Sequence, residues 1–163
     1  MKLIHCLVGV FLGTGLISGE SSAEKSQYMP AAEGRSACKP TPPDGLGPFY
    51  EPNAPMRASV GEGYVLTGEV KSAADCSSIS GARIELWLAG PDGKYDGDHR
   101  ATIFSGQTGE YRFASNVPPK YTNRPPHIHI RVSAEGFKTF VTQHYPEDGS
   151  KQGTFDLVLV PTP

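Results

Sequence analysis

From Tyr64 onward, apolar and polar residues alternate with a period of two in short runs, the pattern of strands with one buried face. The runs predict strands at Tyr64–Val70, Ala82–Leu88, Glu110–Phe113, His127–Val132, Phe137–Gln143 and Thr154–Val160. In the second, Ile84, Leu86 and Leu88 share one face, while Arg83, Glu85 and Trp87 share the other. Polar or glycine-rich stretches such as Lys71–Ser80 and Gly93–Gly97 separate the runs. Heptads, internal repeats and a long helical stripe are all missing. The predicted fold class is all-β, an antiparallel β-sandwich with long loops available for function.

The N-terminal residues follow a different pattern. Met1-Lys2 precedes an apolar run from Leu3 to Ile17, and Ser21-Ser22-Ala23 supplies small residues before a cut. Residues 1–23 therefore read as a signal peptide, the run being short and glycine-interrupted for a membrane span. Residues 24–43 are polar and rich in Ala, Ser and Pro, an arm without regular structure, and 44–163 form the sandwich domain. Export makes the mature chain secreted or periplasmic, with no membrane segment, and leaves Cys38 and Cys76 in an oxidising compartment. A disulfide between them closes a loop of about 40 residues, worth about 4 kcal/mol in the chain-entropy account. Two buried thiols are the alternative.

Composition narrows the function classes. A chain of 163 residues has room for one ordinary domain, and Gly 19 with Pro 15 is too many breakers for a helical bundle. A formal net charge of -2 provides no basic footprint for nucleic acid. Function must come from particular side chains.

The segment His127-Ile128-His129-Ile130-Arg131-Val132 carries the most chemistry. Alternation points Ile128, Ile130 and Val132 into the core and puts both histidines and Arg131 on the opposite face. Imidazoles two residues apart on a strand stand about 7 Å apart at Cα, near enough to share a metal ion. A polar, solvent-facing strand side is the competing reading. Asn123-Arg124-Pro125-Pro126 leads directly into the histidines. Tyr121 lies six residues before His127, and Tyr95 sits in a second glycine-rich loop.

Several motifs, in order along the chain, resemble the intradiol ring-cleavage dioxygenases. They are Cys38-Lys39-Pro40-Thr41-Pro42, Gly47-Pro48-Phe49-Tyr50, Ile84-Glu85-Leu86-Trp87, Gly93-Lys94-Tyr95, Gly109-Glu110-Tyr111-Arg112-Phe113 and Pro118-Pro119-Lys120-Tyr121. Arg124-Pro125-Pro126-His127-Ile128-His129 and Thr142-Gln143-His144-Tyr145 complete the series. The resemblance implies that family's β-sandwich with long active-site loops. It also implies a non-haem Fe(III) held by Tyr95, Tyr121, His127 and His129. Ferric iron is a hard ion suited to phenolate oxygen with imidazole beside it. The implied reaction is cleavage of a catechol-type ring by O2, between its two hydroxylated carbons, to a cis,cis-muconate-type dicarboxylate. Tyr121 is the ligand that would leave the metal and accept a substrate proton.

By the same resemblance Arg124 stabilises charge developing on the substrate, and Gln143 orients Arg124 or the substrate. Pro48 and Tyr50 border the substrate ring. The interval from Tyr121 to His127 is shorter than in the well-known cytoplasmic members, which implies a more open pocket. The preferred catechol and the oligomeric state stay open; no obvious extra cation near the pocket argues for a carboxylated substrate, although Lys94, Lys120 and Arg131 could serve. Two other function classes remain. One is a transthyretin-like sandwich that only binds. The other is an exported copper or zinc protein using His99 and His144 with the His127/His129 pair.

Overall fold

In a computed structural model, residues 38–120 and 122–163 are described; the predicted signal peptide, the arm as far as residue 37, and Tyr121 lie outside the described residues. Among the described residues eight strands form: β1 (Tyr64–Ser72), β2 (Arg83–Trp87), β3 (Arg100–Phe104), β4 (Glu110–Ser115), β5 (Ile128–Ser133), β6 (Phe140–His144), β7 (Gln152–Thr154) and β8 (Leu157–Leu159). A 3-10 turn spans Gly97–His99. Among the described residues no helix is long and apolar enough to cross a membrane.

The strands make two sheets. One is antiparallel throughout, in the order β3-β2-β5-β6. In the other, β1 pairs antiparallel with β4 but parallel with both β7 and β8. Between the sheets lie Leu66, Ile84, Leu86, Phe113, Ile128, Ile130, Val132 and Leu157, each 0–1% exposed. Burial of apolar area at this density supplies most of the driving force for the fold.

The predicted Thr154–Val160 strand is broken at Phe155 and Asp156. There the Phe155 carbonyl accepts from the Tyr111 hydroxyl at 2.5 Å, and a Cβ on Gly68 would stand 2.1 Å from that carbonyl oxygen. The Asp156 carboxylate takes the Glu69 N–H at 3.0 Å in place of a ladder carbonyl. β3 falls in a stretch where no strand is predicted. Its Ala101 and Ile103 face the core, but Arg100 and Thr102 are also buried, which erases the polar half of the alternation.

Burial of the second face is the main departure from the predicted pattern. Glu85 is 1% exposed and Trp87 2%, although they alternate with core residues. What covers them is a strap without regular structure, residues 38–57. Cys38 is disulfide-bonded to Cys76, with Cα atoms 5.2 Å apart. Thr41 then exchanges hydrogen bonds with Val158, N–H to O at 3.1 Å and Oγ1 from N–H at 2.8 Å. The Thr142 hydroxyl donates to the Pro42 carbonyl at 2.9 Å, and the Asp44 N–H donates to Val141 O at 2.9 Å. Farther along, the Arg100 guanidinium donates to the Phe49 carbonyl and to Glu51 Oε1, and Thr102 Oγ1 donates to Ala54 O.

Candidate metal centre

Sheet register builds the floor of the site. Arg100 is opposite Trp87, Trp87 opposite His129, and His129 opposite Gln143, so the four form one transverse row on the strap-covered face. The Trp87 and His129 rings stack at 4.9 Å with 4° between their planes. The strap closes over His129 at Gly47, whose φ is 71° and where a Cβ would stand 3.0 Å from His129 Cε1. Glycine meets both the left-handed backbone and the tight approach. Phe49 then stacks on Tyr95 at 4.4 Å and 12°.

Tyr95 is presented by the loop after β2. The Gly90 N–H donates to Lys94 O at 2.8 Å just before it, and Asp96 just after caps the 3-10 turn by accepting from the Asp98 and His99 N–H groups. The outcome is a Tyr95 hydroxyl 3.1 Å from His127 Nε2. His127 precedes β5, and its Nδ1 stands 2.8 Å from the Pro125 carbonyl. A carbonyl only accepts, so the ring proton is on Nδ1 and the Nε2 lone pair faces Tyr95. The His127 and His129 rings lie 4.8 Å apart, and those of Tyr95 and His129 5.9 Å apart.

Burial is the first cause holding both imidazoles below their ordinary pKa. For His129 the value falls to about 4, with the neighbouring His127 and Arg124 charges adding to the effect. Both rings are therefore neutral at pH 7, the form that binds a metal. Two donors bonded at about 2 Å and about 90° to one ion stand about 3 Å apart, as Tyr95 Oη and His127 Nε2 do. One phenol and two neutral imidazoles, with His127 already oriented by a backbone carbonyl, suit a hard transition-metal ion.

Beside these rings Arg124 Nη2 donates to Gln143 Oε1 at 2.7 Å and to the Tyr145 hydroxyl at 2.9 Å. Gln143 Nε2 donates to Gly45 O at 2.5 Å, and the Tyr145 hydroxyl lies 2.8 Å from Asp44 Oδ2. Next to the guanidinium is a cavity of about 450 Å³ lined by Lys120, Thr122, Asn123, Arg124 and Pro125.

Tyr95, His127, His129, Arg124 and Gln143 are thus brought together, and Tyr121, the remaining predicted ligand, lies outside the described residues. Pro48 is exposed between Gly47 and Phe49. Tyr50, expected at the substrate ring, is committed elsewhere. Its hydroxyl donates to buried Glu85 at 3.2 Å and its ring packs on Trp87, because the strap turns it under rather than outward. Arg131 is likewise bound to Glu85, and Lys94 to Asp92. His99 bonds to Asp96, while His144 faces the opposite side of β6, its Nε2 2.7 Å from the Tyr64 hydroxyl. Among the described residues no group of three or more His, Cys, Asp or Glu side chains is placed to hold a metal, which removes support from the copper or zinc scheme.

The sequence reading missed Asp44, Trp87 and Tyr145 as parts of the site. The two-residue spacing of Gln143 and Tyr145 at the end of β6 was a usable signal for the last.

No family model matches the chain. The chain is 29% identical over 137 residues to chlorocatechol 1,2-dioxygenase of Cupriavidus pinatubonensis, covering 63% of this chain and 53% of that protein. It is 31% identical over 138 residues to hydroxyquinol 1,2-dioxygenase of a Rhizobium species, covering 63% and 46%. The chain spans about half the length of these curated relatives. Among solved structures, the dioxygenase domain of a dioxygenase carbohydrate-binding protein fusion from Streptomyces sp. SirexAA-E superposes with a TM-score of 0.67 and 27% identity, covering 76% of this chain and 100% of that one. 3-Chlorocatechol 1,2-dioxygenase of Rhodococcus opacus shares the fold, with a TM-score of 0.68, 18% identity and coverage of 75% and 73%.

Proposed function

We propose that this chain, which belongs to the intradiol ring-cleavage dioxygenase family, binds Fe(III) and cleaves a catechol-type ring with O2 between its two hydroxylated carbons. Both oxygen atoms enter a cis,cis-muconate-type dicarboxylate. The observation that carries this reading is the approach of Tyr95 Oη to His127 Nε2 at 3.1 Å, beside His129 and next to Arg124. It favours an enzyme over a sandwich that only binds, because a binding module has no need of convergent metal donors.

Tyr95, His127 and His129 would hold the iron, with Tyr121 as the fourth protein ligand. When bound, ferric iron supplies Lewis acidity that favours the deprotonated catechol and opens its ring carbons to O2. The protein's part is to orient and to move protons. Pro125 fixes the His127 tautomer through its carbonyl, and the Trp87 face fixes the plane of His129. Tyr121 accepts a proton from a substrate hydroxyl. Arg124, its guanidinium turned by Gln143, offsets the negative charge that builds on the substrate oxygen. The Cys38–Cys76 disulfide supports a secreted or periplasmic location.

The test is a visible absorption spectrum of the iron-loaded protein before and after anaerobic addition of catechol. A tyrosinate-to-iron band that moves to longer wavelength on adding catechol is expected. A protein that stays colourless after ferric loading would overturn the proposal.

A further inference from the structure

We propose that Tyr145 is a positioning residue for Arg124, held by Asp44, so that docking of the N-terminal strap sets the orientation of the guanidinium in the site. This inference rests on the proposed dioxygenase function for its catalytic consequence, and on the hydrogen-bond geometry alone for the positioning.

The Tyr145 hydroxyl has one proton and accepts through its lone pairs. Arg124 Nη2, 2.9 Å away, can only donate, so the hydroxyl accepts from it. Its own proton goes to Asp44 Oδ2 at 2.8 Å. Gln143 Oε1 is also within reach at 3.1 Å, but it already accepts from Arg124 at 2.7 Å and carries no charge. The carboxylate is the stronger acceptor. A directed relay results, from guanidinium to hydroxyl to carboxylate.

Asp44 is itself pinned. Its Oδ1 accepts the Gly45 N–H at 2.6 Å, and its own N–H donates to Val141 O of β6 at 2.9 Å. The hydrogen bond from Tyr145 is the largest cause lowering the Asp44 pKa, consistent with an ionised partner. Among the described residues Arg124 makes no direct ion pair. The arrangement therefore fixes the guanidinium without a contacting carboxylate to neutralise it. Its charge stays available to the substrate, with the counter-charge one hydroxyl away. Tyr145 is 40% exposed, so core burial does not explain its placement; its ring lies 6.1 Å from that of His127, and its side-chain hydrogen bonds are made by the hydroxyl.

The test compares wild type with Tyr145→Phe, Asp44→Ala and the double variant. Nitrogen-15 NMR reads rotation of the Arg124 guanidinium, and steady-state kinetics read kcat and KM for catechol in iron-loaded protein. Tyr145→Phe is expected to speed guanidinium rotation and lower kcat about tenfold with KM nearly unchanged, since one hydrogen bond to a charged group is lost. Colour and its catechol-induced shift should persist. Asp44→Ala should act in the same direction, and the double variant should be no worse than the more severe single, because the two act in series. Guanidinium rotation unchanged in Tyr145→Phe would overturn the positioning role whether or not the protein is active. Rotation that speeds up while kcat holds within twofold would overturn the catalytic consequence. A wild type that is colourless with iron would instead overturn the dioxygenase reading, and the NMR comparison would still decide the positioning role.

Discussion

The two faces of the β3-β2-β5-β6 sheet are both buried, and by different means. The inner face presents Ile84, Leu86, Ile130 and Val132 to a second sheet and is apolar. The outer face presents Arg100, Glu85, Trp87, His129 and Gln143 to the strap, all 1–4% exposed and mostly polar. Inner positions need only volume and apolarity, so many packings would satisfy them. Outer positions carry polar atoms that call for partners, because an unpaired buried group costs free energy, and among the described residues only Trp87 Nε1, Arg100 Nε and His129 Nδ1 of the row lack one. Glu85 takes Tyr50, Arg83 and Arg131; Gln143 takes Gly45 and Arg124. The candidate metal centre lies on the face where burial and polarity coincide, which is where side chains acquire neutral, ligand-ready states.

Adjacent positions on β2 break this comparison most directly. Glu85→Ala should cost about 3 kcal/mol, because it leaves Arg131 and Arg83, whose side chains are 29% and 33% exposed, without their shared carboxylate. Urea unfolding measures it, and a loss below that of an ordinary surface change would mean the outer face is not sealed. Leu86→Ala should cost about 3 kcal/mol by cavity formation while sparing iron binding. Matched urea curves and iron titration separate the two residues.

Like Thr142, His144 is a buried polar side chain on the inner side. Burial holds its pKa down to about 4, against 6.5 in the unfolded chain. The unfolded chain therefore takes up the proton first, so stability is complete above pH 6.5 and is lost as pH falls toward 4. Metal-free protein should lose about 2 kcal/mol from this group between about pH 7 and about pH 5, and His144→Gln should flatten the slope. The smallest effect is expected from Tyr50→Phe, which removes one hydrogen bond to Glu85 from a half-buried position. About 1 kcal/mol is the expected loss, read in the thermal midpoint with kcat little changed. A large rise in KM instead would return Tyr50 to the substrate.

Much of the inner face was legible because a period of two is a local property. Ile84, Leu86, Ile128, Ile130 and Val132 stand where alternation places them. The Cys38–Cys76 bridge was also anticipated. β3 is a run of only five residues, and although Arg100, Ala101, Thr102 and Ile103 alternate, their place as an edge strand under the strap is set by tertiary contacts. Tyr50 was misplaced for a related reason: a motif names neighbours in sequence, and only the path of the strap decides which of Phe49 and Tyr50 turns toward Tyr95.

By itself the sequence determined the fold class, the core face of each long strand, and the residue types able to bind a hard metal. Those follow from side-chain chemistry and from periodicities that act over a few residues. The tertiary structure decided that an irregular strap seals the second face, that Tyr95 meets His127 across 32 positions, and that Asp44 reaches Arg124 through Tyr145. Such contacts arise from sheet register and from where a chain without regular structure finds hydrogen-bond partners. Neither is written in any local pattern of the chain.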